Sequence, residues 1–152
     1  EALTYVIAKS CQAKADIVAQ DEKEKGIRAL LNLGHSFGHV LESDTGYSDA
    51  LNHGEAVAIG MVMAAQMSAN LGYLQDNQVK IIADHLLAAG LNLDILAIKK
   101  DWNRDNFANI LQKDKKNSAG KLNFVLLNKI GSAFVAKDID VSEFYKVVDN
   151  YF

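Results

Sequence analysis

The sequence contains no proline, one cysteine and one tryptophan, and only ten glycines are spread over its 152 residues. Without proline, the breaks between elements must come from glycines and polar clusters, which favours long helices. Cys11 alone cannot form an internal disulfide, so the fold must rest on a packed core, and the expected compartment is the reducing cytoplasm. Charge is balanced rather than one-sided, with 16 basic against 19 acidic side chains and a net charge of −3. That lacks the basic excess of a general nucleic-acid binder, and no nucleic-acid partner is expected. The longest apolar run, Ala56 to Ala65, has ten residues, half of the roughly 20 needed to cross a bilayer, so no membrane partner is expected either. The opening EALTYVIAKS lacks the basic-then-apolar pattern of a signal peptide. What is present is an ordinary globular composition, 49% hydrophobic, sufficient for one core in one domain. Because it opens on Glu1 rather than methionine, the chain reads as a piece of a longer protein.

Apolar residues at three- and four-residue steps (Leu3, Val6, Ile7, Cys11, Ala15, Val18) predict an amphipathic helix over 2–19, followed by the charge run DEKEKG and a stop at Gly26. A second helix is expected from Ile27 to about Glu42, then a polar segment over 43–52, and a third helix from His53 to Leu71 closed by Gly72. Asp76 or Asn77 caps a fourth helix reaching Ala89, with Gly90 just past its end. Asp101 to Lys113 reads as a fifth. LNFVLL (122–127) and SAFVAK (132–137) flank the turn NKIG and predict a β-hairpin, and Asp140 to Ser142 offer caps for a last helix. The predicted fold is mainly α: a multihelical bundle with one late β-hairpin.

Three of the four histidines lie between Asn32 and Glu55. His35 and His39 are four apart, so on a helix they project from one face, a spacing that lets two imidazoles serve one metal. His53 opens the next helix and can approach that face if the 43–52 segment folds the chain back. Such a triple suits Zn²⁺ or a similar divalent ion, although H-x-x-x-H on its own arises easily on a polar helix face. Gly34 and Gly38 each precede a histidine, and each costs about 1 kcal/mol in a helix interior. Either a ligand or a neighbouring helix must approach that backbone closely. Asn32 adds a polar group to the apolar ALLNLG, and if buried it needs a partner. Glu42 and Glu55 are near enough in sequence to be tested as further metal ligands. His85 reads as a surface or helix-end residue, Cys11 as packing, and Trp102, Tyr5 and Phe37 as core or interface aromatics.

RALLNLGHSFGHVLE (28–42) followed by NHGEAVAIGMVMAA (52–65) closely resembles the signature of the 3-dehydroquinate synthase family, two long motifs in the right order and spacing. KADIVAQDEKEKGIRALLN (14–32) and DKKNSAGKLNFVLLNKIG (114–131) are similar as well, so the resemblance spans nearly the whole chain but only the C-terminal half of the enzyme.

The resemblance implies that His35 and His53 are metal ligands for Zn²⁺, Co²⁺ or another divalent ion, with His39 beside the substrate. It implies that Lys14, Arg28 and Asn32 contact substrate hydroxyls, carboxylate or phosphate, and that one of Lys115 and Lys116 reaches the substrate. The intact enzyme would convert 3-deoxy-D-arabino-heptulosonate 7-phosphate, a small sugar phosphate, to 3-dehydroquinate and phosphate in the shikimate pathway that leads to aromatic amino acids. NAD⁺ would be bound mainly by an N-terminal α/β domain, which this chain lacks together with the glutamate that supplies a third metal ligand; no G-x-G-x-x-G occurs here. The partners implied are that N-terminal domain and, in the full-length enzyme, a second copy in a homodimer. Residues 1–152 alone are expected to be catalytically silent. The competing readings are a related sugar-phosphate cyclase, a metal-dependent alcohol dehydrogenase domain, and a non-catalytic helical domain that binds a metal or a partner protein.

Overall fold

The computed structural model describes residues 1–114 and 121–151, and the chain divides into two compact units, Glu1–Asn32 and Leu33–Phe152. The first unit consists of helix α1 (Ala2–Gln20) and a short 3₁₀ helix (Ile27–Asn32). The amphipathic pattern does produce α1, but Leu3, Tyr5, Val6, Ile7 and Cys11 are all exposed on it, so Tyr5 is no core residue and Cys11 is not packed as expected. The helix ends at Gln20, one residue past the expected 19, with Asp21 at its C-terminal cap. Asp21 then folds the charge run into a turn: its carboxylate accepts the backbone N–H groups of Lys25 (2.9 Å), Gly26 (2.7 Å) and Arg28 (3.0 Å). These donors, Lys25 first and then Arg28, hold the Asp21 carboxyl below its ordinary value of 3.8 because they stabilise the ionised form.

The second unit contains helices α2 (His35–Asp44), α3 (His53–Asn70), α4 (Asp76–Ala88), α5 (Ile95–Ile98) and α6 (Arg104–Asp114), strands β1 (Lys121–Lys129) and β2 (Ser132–Asp140), and helix α7 (Val141–Val148). The single helix expected over 27–42 is two elements. Gly34 takes the left-handed conformation (φ +82°) and separates the 3₁₀ turn from α2, a backbone state open to glycine at little cost. Helix α4 is capped by Gln75, one residue before the expected Asp76, and Gly90 is left-handed just beyond its end as expected. The four-residue helix α5 was not legible in the periodicity; it exists because the Asp94 side chain accepts the backbone N–H groups of Leu96 and Ala97.

Helix α3 is the hub and packs against α2, α4, β1 and α7. It is therefore apolar nearly all round, with Ala56, Ile59, Met63, Ala64, Ala65 and Met67 each no more than 1% exposed. Its contact with α2 is backbone to backbone. A β-carbon added at Gly60 would collide with the Gly34 carbonyl oxygen, and one at Gly34 would lie 2.7 Å from both Val57 O and Met61 N. One at Gly38 would lie 3.1 Å from Ala56 O. The close approach demanded by the glycines is therefore that of α3, which settles the choice between a neighbouring helix and a ligand in favour of the helix.

On the buried side of α2, Phe37 stacks on Phe144 of α7 (5.1 Å between ring centres) and meets Phe124 of β1 (5.6 Å). This fixes α2 against the hairpin and the last helix. Ser68, fully buried on α3, donates to Ala64 O (2.6 Å) and accepts the Leu127 N–H of β1 (2.9 Å), so a ladder gap on the strand is filled from the helix. The strands pair antiparallel around Ile130–Gly131, with Gly131 left-handed, and Asp140 caps α7 by accepting Ser142 N–H. The helical bundle with a late hairpin is thus observed.

Candidate functional site

Helix α2 is two-faced. Phe37, Val40 and Leu41 are buried, and His35, His39 and Glu42, at steps of four and three, form a polar stripe along another side whose last member, Glu42, is buried as well. His53 is the first residue of α3, where the turn after α2 delivers it. The His35 ring centre lies 5.7 Å from that of His39 and 5.5 Å from that of His53. The three histidines converge.

Two of these rings are also held from behind. His35 Nδ1 lies 3.3 Å from the backbone carbonyl of Leu33, and His53 Nδ1 lies 3.0 Å from Glu42 Oε1. A carbonyl and a carboxylate only accept hydrogen bonds, so in the neutral imidazoles the proton belongs on Nδ1 and Nε2 carries the free lone pair. Glu42 is nearly buried while the His53 side chain remains well exposed. Glu55, the other carboxylate considered as a ligand, is used elsewhere: its Oε2 accepts the Asn52 N–H at 3.2 Å and stabilises the start of α3. A cleft of about 680 Å³ opens beside the histidines, lined by His39, Glu42, Tyr47, His53, Asn106 and Ile110.

The spacing of the His35 and His53 rings suits one shared divalent ion. An imidazole nitrogen bonds Zn²⁺ at about 2.0–2.1 Å, which places two ring centres on one tetrahedral ion roughly 5 Å apart, close to the 5.5 Å found. The donor set is incomplete, since no group of three or more His, Cys, Asp or Glu side chains arranged to hold a metal ion occurs among the described residues.

The other predicted residues fall in the first unit, apart from the lysine pair. Lys14 is exposed on α1. Asn32 is exposed rather than buried, and its Nδ2 donates to Glu24 Oε1 at 2.8 Å. Arg28, one turn earlier, lies 3.9 Å from Glu24 Oε2 and donates from Nη1 to Glu22 O at 2.6 Å. Glu24 therefore organises both Arg28 and Asn32, a role hidden in the sequence because it stands in a charge run; its spacing of four and eight residues from them was the available signal. Lys115 and Lys116 lie outside the described residues.

Solved structures share this fold. The chain superposes on 2-epi-5-epi-valiolone synthase from Streptomyces hygroscopicus, solved with NAD⁺ and Zn²⁺ bound, with a TM-score of 0.77 at 21% identity over 97% of this chain and 39% of that one. It superposes on 2-deoxy-scyllo-inosose synthase, complexed with carbaglucose-6-phosphate, NAD⁺ and Co²⁺, with a TM-score of 0.75 at 21% identity over 91% of this chain and 39% of that one. Residues 1–117 match the family described as 3-dehydroquinate synthase C-terminal, and the chain belongs to that family. It is 51% identical to the 3-dehydroquinate synthase of a Bradyrhizobium species over 90% of this chain and 37% of that protein. It is 50% identical to that of Nitrobacter hamburgensis over the same shares. The chain thus spans little more than a third of the length of these relatives. No helix among the described residues is long and apolar enough to cross a membrane.

Proposed function

We propose that this chain is the metal- and substrate-holding part of a cytoplasmic enzyme that converts 3-deoxy-D-arabino-heptulosonate 7-phosphate to 3-dehydroquinate and phosphate. The observation that carries the reading is the convergence of His35, His39 and His53, with the Nδ1 atoms of His35 and His53 each facing an acceptor. His35 and His53 hold a divalent ion through Nε2, and an acidic ligand from the rest of the protein completes the set. When bound, the ion supplies positive charge that lowers the pKa of substrate hydroxyls and offsets the negative charge developing on oxygen, while NAD⁺, held mainly by an N-terminal domain outside this chain, supplies the transient hydride acceptor.

The chain's own side chains bind and orient. Lys14 and Arg28, with one of Lys115 and Lys116, bind the carboxylate and phosphate of the substrate, which as anions need cationic donors. Asn32 hydrogen-bonds a hydroxyl. His39, lining the cleft beside the other two rings, takes or returns a proton at a substrate oxygen. Residues 1–152 act as one domain beside the N-terminal domain, in an enzyme that works as a homodimer.

The test is phosphate release from the heptulosonate phosphate by the longer protein that carries this segment, supplied with NAD⁺ and Zn²⁺ or Co²⁺. Wild-type protein is expected to turn over, and His35→Ala and His53→Ala to lose activity by at least about a hundredfold, in line with the loss of a metal ligand. Residues 1–152 alone are expected to release no phosphate. Release by the fragment at the rate of the longer protein would overturn the reading.

A further inference from the structure

The sequence resemblance gives Glu42 no role, yet the structure sets it beside His53 in a way that a merely structural carboxylate would not require. Its side chain is 10% exposed, and it reaches from α2 to the first residue of α3 across the turn between them. The carboxylate is therefore largely withdrawn from water to meet one imidazole nitrogen, an arrangement that costs free energy unless the partner returns it. The His53 side chain is 61% exposed, so little packing holds its ring. The 3.0 Å contact from Glu42 Oε1 to Nδ1 is what orients it. Free imidazole populates both neutral tautomers, and only the form protonated on Nδ1 presents a lone pair at Nε2 to an ion lying toward His35.

We infer that Glu42 is a positioning residue for the metal site, fixing the ring angle and the Nδ1–H tautomer of His53 so that Nε2 faces the ion shared with His35. The inference rests on the metal reading above. His35 has the equivalent support from the Leu33 carbonyl, which no side-chain substitution can remove. Loss of the carboxylate should therefore disable one ligand and spare the other. Glu42→Gln keeps an acceptor oxygen at the same reach; Glu42→Ala removes it.

Two measurements on the longer protein test this. Co²⁺ titration followed by its visible absorption is expected to give Glu42→Ala an affinity about 10–100-fold below wild type and Glu42→Gln an affinity between the two. Nitrogen NMR of the metal-free proteins is expected to find His53 as the Nδ1–H tautomer in wild type and as a tautomer mixture in Glu42→Ala. Equal Co²⁺ affinity for wild type and Glu42→Ala, with His35→Ala much weaker, would overturn the inference and leave the metal reading intact. Equal affinity for wild type and His35→Ala would overturn the metal reading itself. Should Glu42→Ala not fold, Glu42→Gln decides: an unchanged tautomer with intermediate affinity supports the inference, and a mixed tautomer with wild-type affinity overturns it.

Discussion

Lys99 and Asp44, fifty-five residues apart in sequence, form an ion pair at 2.7 Å in which the Asp44 side chain is only 3% exposed. The same Lys99 ammonium donates to the Asp44 backbone oxygen at 3.0 Å and lies over the Trp102 ring, and the Asn103 N–H donates to Asp44 Oδ2 at 3.2 Å. One buried carboxylate thereby ties the C-terminus of α2 to the segment between α5 and α6, directly before α6 and its cleft-lining Asn106.

Asp44→Ala is expected to cost about 1.5–3 kcal/mol, the range for a hydrogen bond to a charged group, because it removes the acceptor of the Asn103 N–H and leaves the Lys99 ammonium only the backbone oxygen of residue 44. A fall of several degrees in Tm, smaller for Asp44→Asn because one acceptor oxygen survives, is the measurement; a Tm unchanged from wild type would show that the pair adds nothing.

Gly60→Ala is expected to destabilise by about 1–3 kcal/mol or more, since the added methyl collides with the Gly34 carbonyl, a backbone atom that cannot rotate away. The strain falls on the junction where α2 begins. Co²⁺ affinity should therefore fall together with thermal stability, whereas Gly72→Ala, with open space around its α-carbon but the same left-handed demand noted elsewhere, should lower stability and leave the affinity of the folded protein unchanged.

The turn around Asp21 should be pH-sensitive. Its folded carboxyl lies below 3.8, so the group contributes stability that is fully present above pH 3.8 and is lost as pH falls through the lower folded value. The amide resonances of Lys25, Gly26 and Arg28 are expected to titrate together with a midpoint under 3.8. In Asp21→Asn that shared transition should vanish. Separate midpoints for the three amides would contradict a single carboxylate as their common acceptor.

The long helices, the hairpin and the histidine cluster were legible because each rests on a short-range pattern: three- and four-residue steps for α1, caps and closing glycines for α3 and α4, two β-rich runs around a glycine, and His35 and His39 four apart. What was not legible depended on partners distant in sequence. The break at Gly34 follows from the need to seat α2 against Gly60, which helical periodicity through ALLNLGHSF does not reveal. Tyr5 and Cys11 carry the marks of a packed face and are nonetheless exposed on α1, because periodicity reports which side of a helix is apolar and not what covers it. Glu42 looked like a spare carboxylate near two histidines; only the fold-back of α3 shows that it meets the ring of His53.

Helices α2 and α3 both begin at a histidine, His35 and His53 respectively, and those two rings face each other at 5.5 Å. The positive end of the α3 macrodipole, equivalent to roughly half an elementary charge, therefore lies behind the His53 ring. An anion or an oxygen acquiring negative charge beside that ring meets a field worth about 0.3–1 kcal/mol from the helix. Unlike the lysine and arginine side chains, that source of positive potential has no proton to lose, so it persists at every pH at which the helix remains folded.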